Sequence, residues 1–325
     1  MNKATSKKIS YLYFIFTFFI IGLHSVSLKE LGLSGGGGQY VRILYNAATG
    51  GFMFFSAFLL YRKEHNYLQL IKKKMFSLLL PFLLYNVIAV FYKQLFLVVI
   101  KTRTLPQGNL AGLMSMIWSA EENPPLWFMK TLMVYIVLYP LIKLLLKQKA
   151  VAIAAVVISG VVQIIRGADV GYSTIFYWMP IYLMGAVVAQ YDIELFCDET
   201  KSTMWRQLIA AGSLLILILL AKENDEVMYL YRVLSPVLIW ECSTILTELP
   251  KPKWWINCTV FYYGMHILVT RIAQKIYMPV GRLGSIFPLL GTFAIPLICL
   301  IMLIVVAAVI RKYAPRLWKV MLGGR

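Results

Sequence analysis

The chain has 325 residues, of which 60% are hydrophobic and 14% charged, against roughly 45–50% and 25% in soluble globular domains. With a mean hydropathy of +0.73, that balance excludes a soluble globular enzyme and a disordered chain. It also excludes a nucleic-acid-binding domain, even though 32 Lys and Arg against 14 Asp and Glu give a net charge of +18.

Ten apolar stretches follow one another, each read as a helix crossing a hydrocarbon core that takes roughly 20 residues. The first covers 10–28. It is too long for a cleaved signal peptide, and no small-x-small site follows it. A linker containing Gly35-Gly36-Gly37-Gly38 precedes the short second stretch, 46–61. The third is 75–92. The longest gap, 93–125, has room for a short interfacial or re-entrant segment. Then come 126–146, the short 150–165, 174–190, 206–221, 229–248, 256–273 and 285–310. Nothing alternates like a strand, and no soluble appendage or internal repeat interrupts the series. The predicted architecture is all-α: one polytopic membrane domain over 1–325 with about ten transmembrane helices.

Basic residues collect in cytoplasmic loops, so their distribution predicts orientation. With the N-terminus inside, 20 of the 32 Lys and Arg fall on that side, 11 fall with the other side, and Lys130 lies in a span. Both termini are therefore expected in the cytoplasm. The acidic loop 191–205 opposes this, but acidic residues contribute little to the rule.

Ionisable groups inside spans are costly and mark functional candidates. His24 lies about 21 Å from the cytoplasmic start of the first span at 1.5 Å per residue. His266 lies roughly 15 Å into the ninth by the same rise, so two imidazoles share a level if those helices are neighbours. A neutral imidazole is the usual general base for an oxygen nucleophile. The plainer alternative is a packing histidine bonded to a backbone carbonyl. Glu241 can orient an imidazole, bind a coupling ion or pair with a buried neighbour. Lys130, one turn from the outer end of its span, snorkels or meets an anionic substrate. The run Arg62, Lys63, Lys72, Lys73 and Lys74 reads either as a basic loop drawn to anionic lipid or as a cradle for a phosphate-rich cytosolic ligand. Trp127, in Asn123-Pro124-Pro125-Leu126-Trp127-Phe128, fits an interfacial aromatic belt. The histidines His24, His65 and His266 and the cysteines Cys197, Cys242, Cys258 and Cys299 show no metal-ligand spacing, so neither a metal site nor a disulfide framework is expected.

Six segments in order resemble the bacterial membrane-bound acyltransferase family 3. They are Phe19-Ile20-Ile21-Gly22-Leu23-His24, Gly51 to Arg62 with its aromatic run, the basic run before Leu78-Leu79-Leu80-Pro81-Phe82, Pro125-Leu126-Trp127-Phe128, Pro180-Ile181-Tyr182-Leu183-Met184-Gly185 and Tyr262-Tyr263-Gly264-Met265-His266. The chain departs from the family's pattern at three places. Tyr13 stands where a basic residue usually precedes the histidine, Ala57 replaces a glycine, and Ser77 stands where an arginine precedes the proline.

The resemblance implies a membrane O-acyltransferase, first of all an O-acetyltransferase, in the bacterial plasma (inner) membrane. The donor would be acetyl-CoA or another acyl-CoA from the cytosol, and the acceptor a surface polysaccharide or its lipid-linked precursor. His24 would be the catalytic base, with Glu241 and His266 beside it as candidates. Arg62, Lys72, Lys73 and Lys74 would hold the donor, and Trp127 and Lys130 would meet the acceptor. Membrane lipid is the expected surrounding partner, nucleic acid is not, and self-association stays open. The competing reading is a transporter or flippase of small solutes or lipid-linked sugars without chemistry. A third is a non-catalytic partner in a glycan-export complex. His65, in a cytoplasmic loop outside any matching segment, is expected to play no part.

Overall fold

The computed structural model describes residues 3–26, 37–99, 110–191, 203–281 and 287–324. Among them every regular element is helical: α1 (Lys3–Ser25), α2 (Gly38–Tyr45), α3 (Ala47–Tyr61), α4 (Tyr67–Lys74), α5 (Leu80–Val99), α6 (Leu110–Ser119), α7 (Trp127–Val137), α8 (Tyr139–Leu145), α9 (Lys149–Arg166), α10 (Ile175–Gln190), α11 (Met204–Leu220), α12 (Asp225–Cys242), α13 (Thr259–Gly281), α14 (Phe287–Tyr313) and α15 (Pro315–Met321).

Polar side chains set several helix starts. Asn66, Thr203 and Asn224 each accept a hydrogen bond from the backbone N–H three residues on, at Gln69, Arg206 and Val227. This satisfies donors that the first turn leaves free. Prolines set the breaks. Pro140 has no N–H to give the fourth carbonyl before it, and α7 and α8 meet at 63°. The Tyr67 hydroxyl donates to the Val137 carbonyl at that bend, at 3.0 Å. A π turn, Met75–Leu79, joins α4 to α5 just before Pro81, where the Ser77 carbonyl would otherwise receive the missing N–H.

Five helical segments among the described residues are long and apolar enough to cross a membrane: Lys3–Ser25, Gly38–Tyr61, Tyr67–Lys93, Lys149–Arg166 and Phe287–Tyr313. The bent α7–α8 pair makes a sixth if counted as one span. Ten predicted spans thus reduce to five or six on this criterion. The others differ for identifiable reasons. α10 has 16 residues and α11 has 17, about 24–26 Å of helix for a core of roughly 30 Å. α12 carries Asp225, Glu226, Arg232 and Glu241, and α13 carries His266, Arg271 and Lys275. Boundaries shift as well. Residues 38–45, predicted as linker, are helical and meet α3 at Asn46, whereas the stretch 229–248 leaves the α-helix at Cys242.

α3 is the most enclosed helix, packed by α1, α10 and α12. Two glycines allow the approach. A Cβ at Gly185 would stand 2.2 Å from the Phe54 carbonyl oxygen, and one at Gly50 would stand 2.4 Å from that of Arg232. Backbone therefore lies against backbone at the α3–α10 and α3–α12 crossings. Around α3, an aromatic core includes Phe54, Phe55, Phe58, Trp178 and Tyr182, all buried. α13 pairs with α14, and both pack on α1, which brings the first and ninth predicted spans together.

Candidate active site

At the end of the bundle where α1 finishes, a cavity of about 790 Å3 opens among α1, α2, α3, α12 and the segments before α7 and α10. His24, one residue from the end of α1, lines it and stays exposed to it. His266 of α13 is fully buried behind, with the two ring centroids 5.3 Å apart. The shared level expected of the two imidazoles is met, because α1 and α13 are packed together. The Nδ1 of His266 lies 2.8 Å from the Tyr263 carbonyl oxygen, which only a protonated nitrogen can bond. Its Nε2 is buried without a partner among the described residues, leaving a lone pair available next to His24.

The same cavity holds cations that the sequence reading missed. Arg232 of α12, one of the 11 basic residues that a linear count puts on the outer side, is only 7% exposed. Its Nη1 donates to Asp169 Oδ1 at 2.8 Å and to the Tyr177 hydroxyl, and its Nη2 to Asn46 Oδ1 at 3.3 Å. The guanidinium lies 5.0 Å from the Tyr172 ring centroid, and its buried Nε has no partner among the described residues. Arg42 of α2 and Lys222, beyond α11, also line the space. Lys222 pairs with Glu223 at 3.0 Å, which raises its pKa. The lining is thus cationic, with Asp169 as its acidic member. Trp127 lines it too, stacked on Trp178 with centroids 5.9 Å apart.

A second cavity of about 330 Å3 lies toward the opposite end of the bundle. Tyr13, Ser56, His65, Lys73 and Lys74 contribute to its wall. Of the predicted basic cradle, Lys73 and Lys74 reach it, whereas Lys72 and Arg62 are outside its lining. Consecutive helical residues point about 100° apart, so three adjacent lysines on α4 cannot share one face. Arg62 instead lies over the Phe58 ring, 5.2 Å from its centroid. His65, in the loop after α3, also lines this wall, with Nε2 3.1 Å from the Leu60 carbonyl oxygen. Tyr13, at the position where a basic residue was expected, stacks on Phe52 at 5.3 Å and 16°.

Two other candidates sit away from both cavities. Glu241 pairs with Arg206 at 3.1 Å, at the far end of α12 from the first cavity, so the structure does not bring it to either imidazole. Lys130 donates to the carbonyls of Trp118 and Ser119 at 3.3 and 3.1 Å. It thereby caps the C-terminal end of α6, where free carbonyls attract a cation. Among the described residues no group of His, Cys, Asp and Glu is placed to hold a metal ion.

A family model described as an acyltransferase domain matches residues 7–312, a range that includes every residue named at the two cavities. No curated protein and no solved structure matches the chain. On that match the chain belongs to the acyltransferase 3 family, and its apolar helices make it a multi-pass membrane member.

Proposed function

We propose that the chain is an O-acyltransferase of the bacterial inner membrane. It takes an acyl group, acetyl first, from a cytosolic acyl-CoA and passes it to a hydroxyl of a surface polysaccharide or its lipid-linked precursor. The observation that carries this reading is the His24–His266 contact, 5.3 Å between centroids, at the edge of one cavity with a second cavity beneath it. In this account all ten apolar helical segments lie in the membrane with both termini cytoplasmic. The cavity of Lys73 and Lys74 then faces the cytosol, and the cavity of His24 faces outward.

The donor's phosphates bind Lys73 and Lys74 as point charges, and its acylated arm enters the apolar cavity. The acceptor lies against Trp127 among Arg42, Lys222 and Arg232, a lining suited to a sugar that carries phosphate or carboxylate. His24 accepts the acceptor hydroxyl's proton as its oxygen attacks the thioester carbonyl carbon. The C–S bond breaks, and His24 returns the proton to the departing thiolate. The products are an ester and free coenzyme thiol. His266, its Nδ1–H committed to the Tyr263 carbonyl, offers Nε2 to the N–H of His24. That leaves the other nitrogen of His24 facing the acceptor. Holding base and hydroxyl together removes much of the entropic cost of their meeting.

Purified protein in liposomes, supplied with radiolabelled acetyl-CoA and a phosphorylated or uronic-acid glycan, tests the reading. Acceptor-dependent transfer of label with release of free thiol is the expected result. Absence of transfer, with solute movement instead, would favour the transporter alternative. That alternative draws on the same two cavities opening toward opposite ends of the bundle.

A further inference from the structure

Three side chains belong to both cavities: Phe52 of α3, Phe128 of α7 and Tyr263 of α13. Their rings touch in all three pairings, with centroids 5.9 Å apart for Phe52–Phe128, 6.4 Å for Phe52–Tyr263 and 5.8 Å for Phe128–Tyr263. Tilted and edge-on contacts at these separations are the favourable ones for aromatic pairs. They leave a wall one ring thick between two spaces that are otherwise separately lined. Tyr263 is pinned: its hydroxyl donates to the Pro125 carbonyl, and its ring meets His266 at 6.1 Å. Phe128 is buried and wedged edge-on against Trp127 at 6.2 Å. Phe52 differs. It is half-buried, has no polar anchor, and is held by ring contacts to Tyr13 and Phe16 besides the other two.

Building on the acyltransferase reading, we propose that Phe52, Phe128 and Tyr263 form an aromatic seal between the donor and acceptor cavities, with Phe52 as its movable ring. The seal sets the length of acyl chain that can be transferred and keeps acceptor-side water off the donor thioester. A two-carbon acyl group needs a tilt of Phe52 to meet His24. A longer chain must occupy space the three rings already fill. When the seal is closed, water cannot attack the thioester carbonyl to give a free acid and the coenzyme thiol, so the donor survives until an acceptor hydroxyl takes the acyl group. Tyr13 contributes by stacking on Phe52 from the donor side, where it holds the ring across the opening.

One methylene against a packed apolar wall is worth about 10–200-fold in discrimination. Wild-type protein should therefore transfer butyryl and hexanoyl groups at least about a hundredfold less well than acetyl per added methylene pair, by the same reasoning. Phe52→Ala should flatten that series and raise acceptor-independent hydrolysis of acyl-CoA relative to transfer. Phe128→Ala should do the same if Phe52→Ala fails to insert, and Phe52→Leu should fall between. An independent readout uses Ser56→Cys, which lies on the donor-side wall, in a chain whose four native cysteines are replaced by serine. A membrane-impermeant thiol reagent added on the acceptor side should leave position 56 unmodified, and should modify it once Phe52 is Ala. A correctly folded Phe52→Ala protein with an unchanged chain-length series and a still-protected thiol overturns the seal. A wild-type protein that transfers no acyl group, but whose thiol protection still depends on Phe52, overturns the chain-length claim and the acyltransferase reading while leaving the barrier itself in place.

Discussion

Replacing Arg232 should separate the energetics of a buried guanidinium from those of its exposed partner. Arg232 is 7% exposed, whereas the Asp169 side chain is 57% exposed. The 2.8 Å contact between them is therefore a half-solvated ion pair, worth about 0–1 kcal/mol, because a freed Asp169 is rehydrated. The bonds to Tyr177 and Asn46 are buried, and a buried bond to a charged group is worth about 1.5–3 kcal/mol. Arg232→Leu gives up both and returns the desolvation cost of the charge, for a net loss of about 3 kcal/mol. Arg232→Lys keeps the charge, but its point-like ammonium cannot reach the same acceptors in one plane or stack on Tyr172. It should lose roughly half as much by the same reasoning. Asp169→Asn should cost less than about 1 kcal/mol. The assay is reversible unfolding in mixed detergent micelles, with a double-mutant cycle on each pair. Coupling should be large for Arg232 with Asn46 and small for Arg232 with Asp169. If Arg232→Lys is as stable as wild type, or if Asp169 couples more strongly than Asn46, the reasoning from burial is wrong.

Three further outcomes follow from the same structure. Gly185→Leu places side-chain atoms against the Phe54 backbone and should destabilise the protein by about 1–3 kcal/mol or more, read by the same unfolding assay. Lys73→Gln and Lys74→Gln should raise the acyl-CoA KM by roughly tenfold, given charge-assisted contacts discounted for their exposure. Lys72→Gln should leave it unchanged, and an equal effect at all three positions would return the run to a general attraction for anionic lipid. A cysteine at Leu68, which is 77% exposed in the first turn of α4, should react with impermeant reagent from the cytoplasmic side alone. Labelling from outside would invert the topology and exchange the roles of the two cavities.

The class of fold was legible because hydropathy reports directly on solvent. Every apolar stretch read from the sequence has a helix in it, and the two histidines prove to be neighbours as their estimated depths allowed. The misreadings share a cause: linear patterns carry no information about which face of a helix meets which neighbour. A linear count of basic residues places Arg232 with the outer loop charges and carries no sign of its burial. Its burial depends on Asp169, Tyr177 and Asn46 arriving from three other segments. Lys72, Lys73 and Lys74 form one run in sequence but diverge around a helix. Glu241 and Lys130 were singled out because charge in a span is costly, and each is accounted for locally, by Arg206 and by the carbonyls that end α6. Phe52, Phe128 and Tyr263 lie inside segments that the sequence comparison had already marked, two of them within aromatic runs. Nothing in those runs distinguishes a ring that fills core from one that divides two cavities.

The most direct test of the central claim is acyl transfer by purified His24→Gln protein. Glutamine at this position retains a hydrogen-bonding amide but cannot accept the acceptor's proton. A general base contributes about 10²–10⁴-fold to rate. The variant should therefore insert, unfold with wild-type stability, bind acyl-CoA normally, and transfer acyl groups at least about a hundredfold more slowly. Transfer at the wild-type rate would remove His24 from the chemistry and contradict the account.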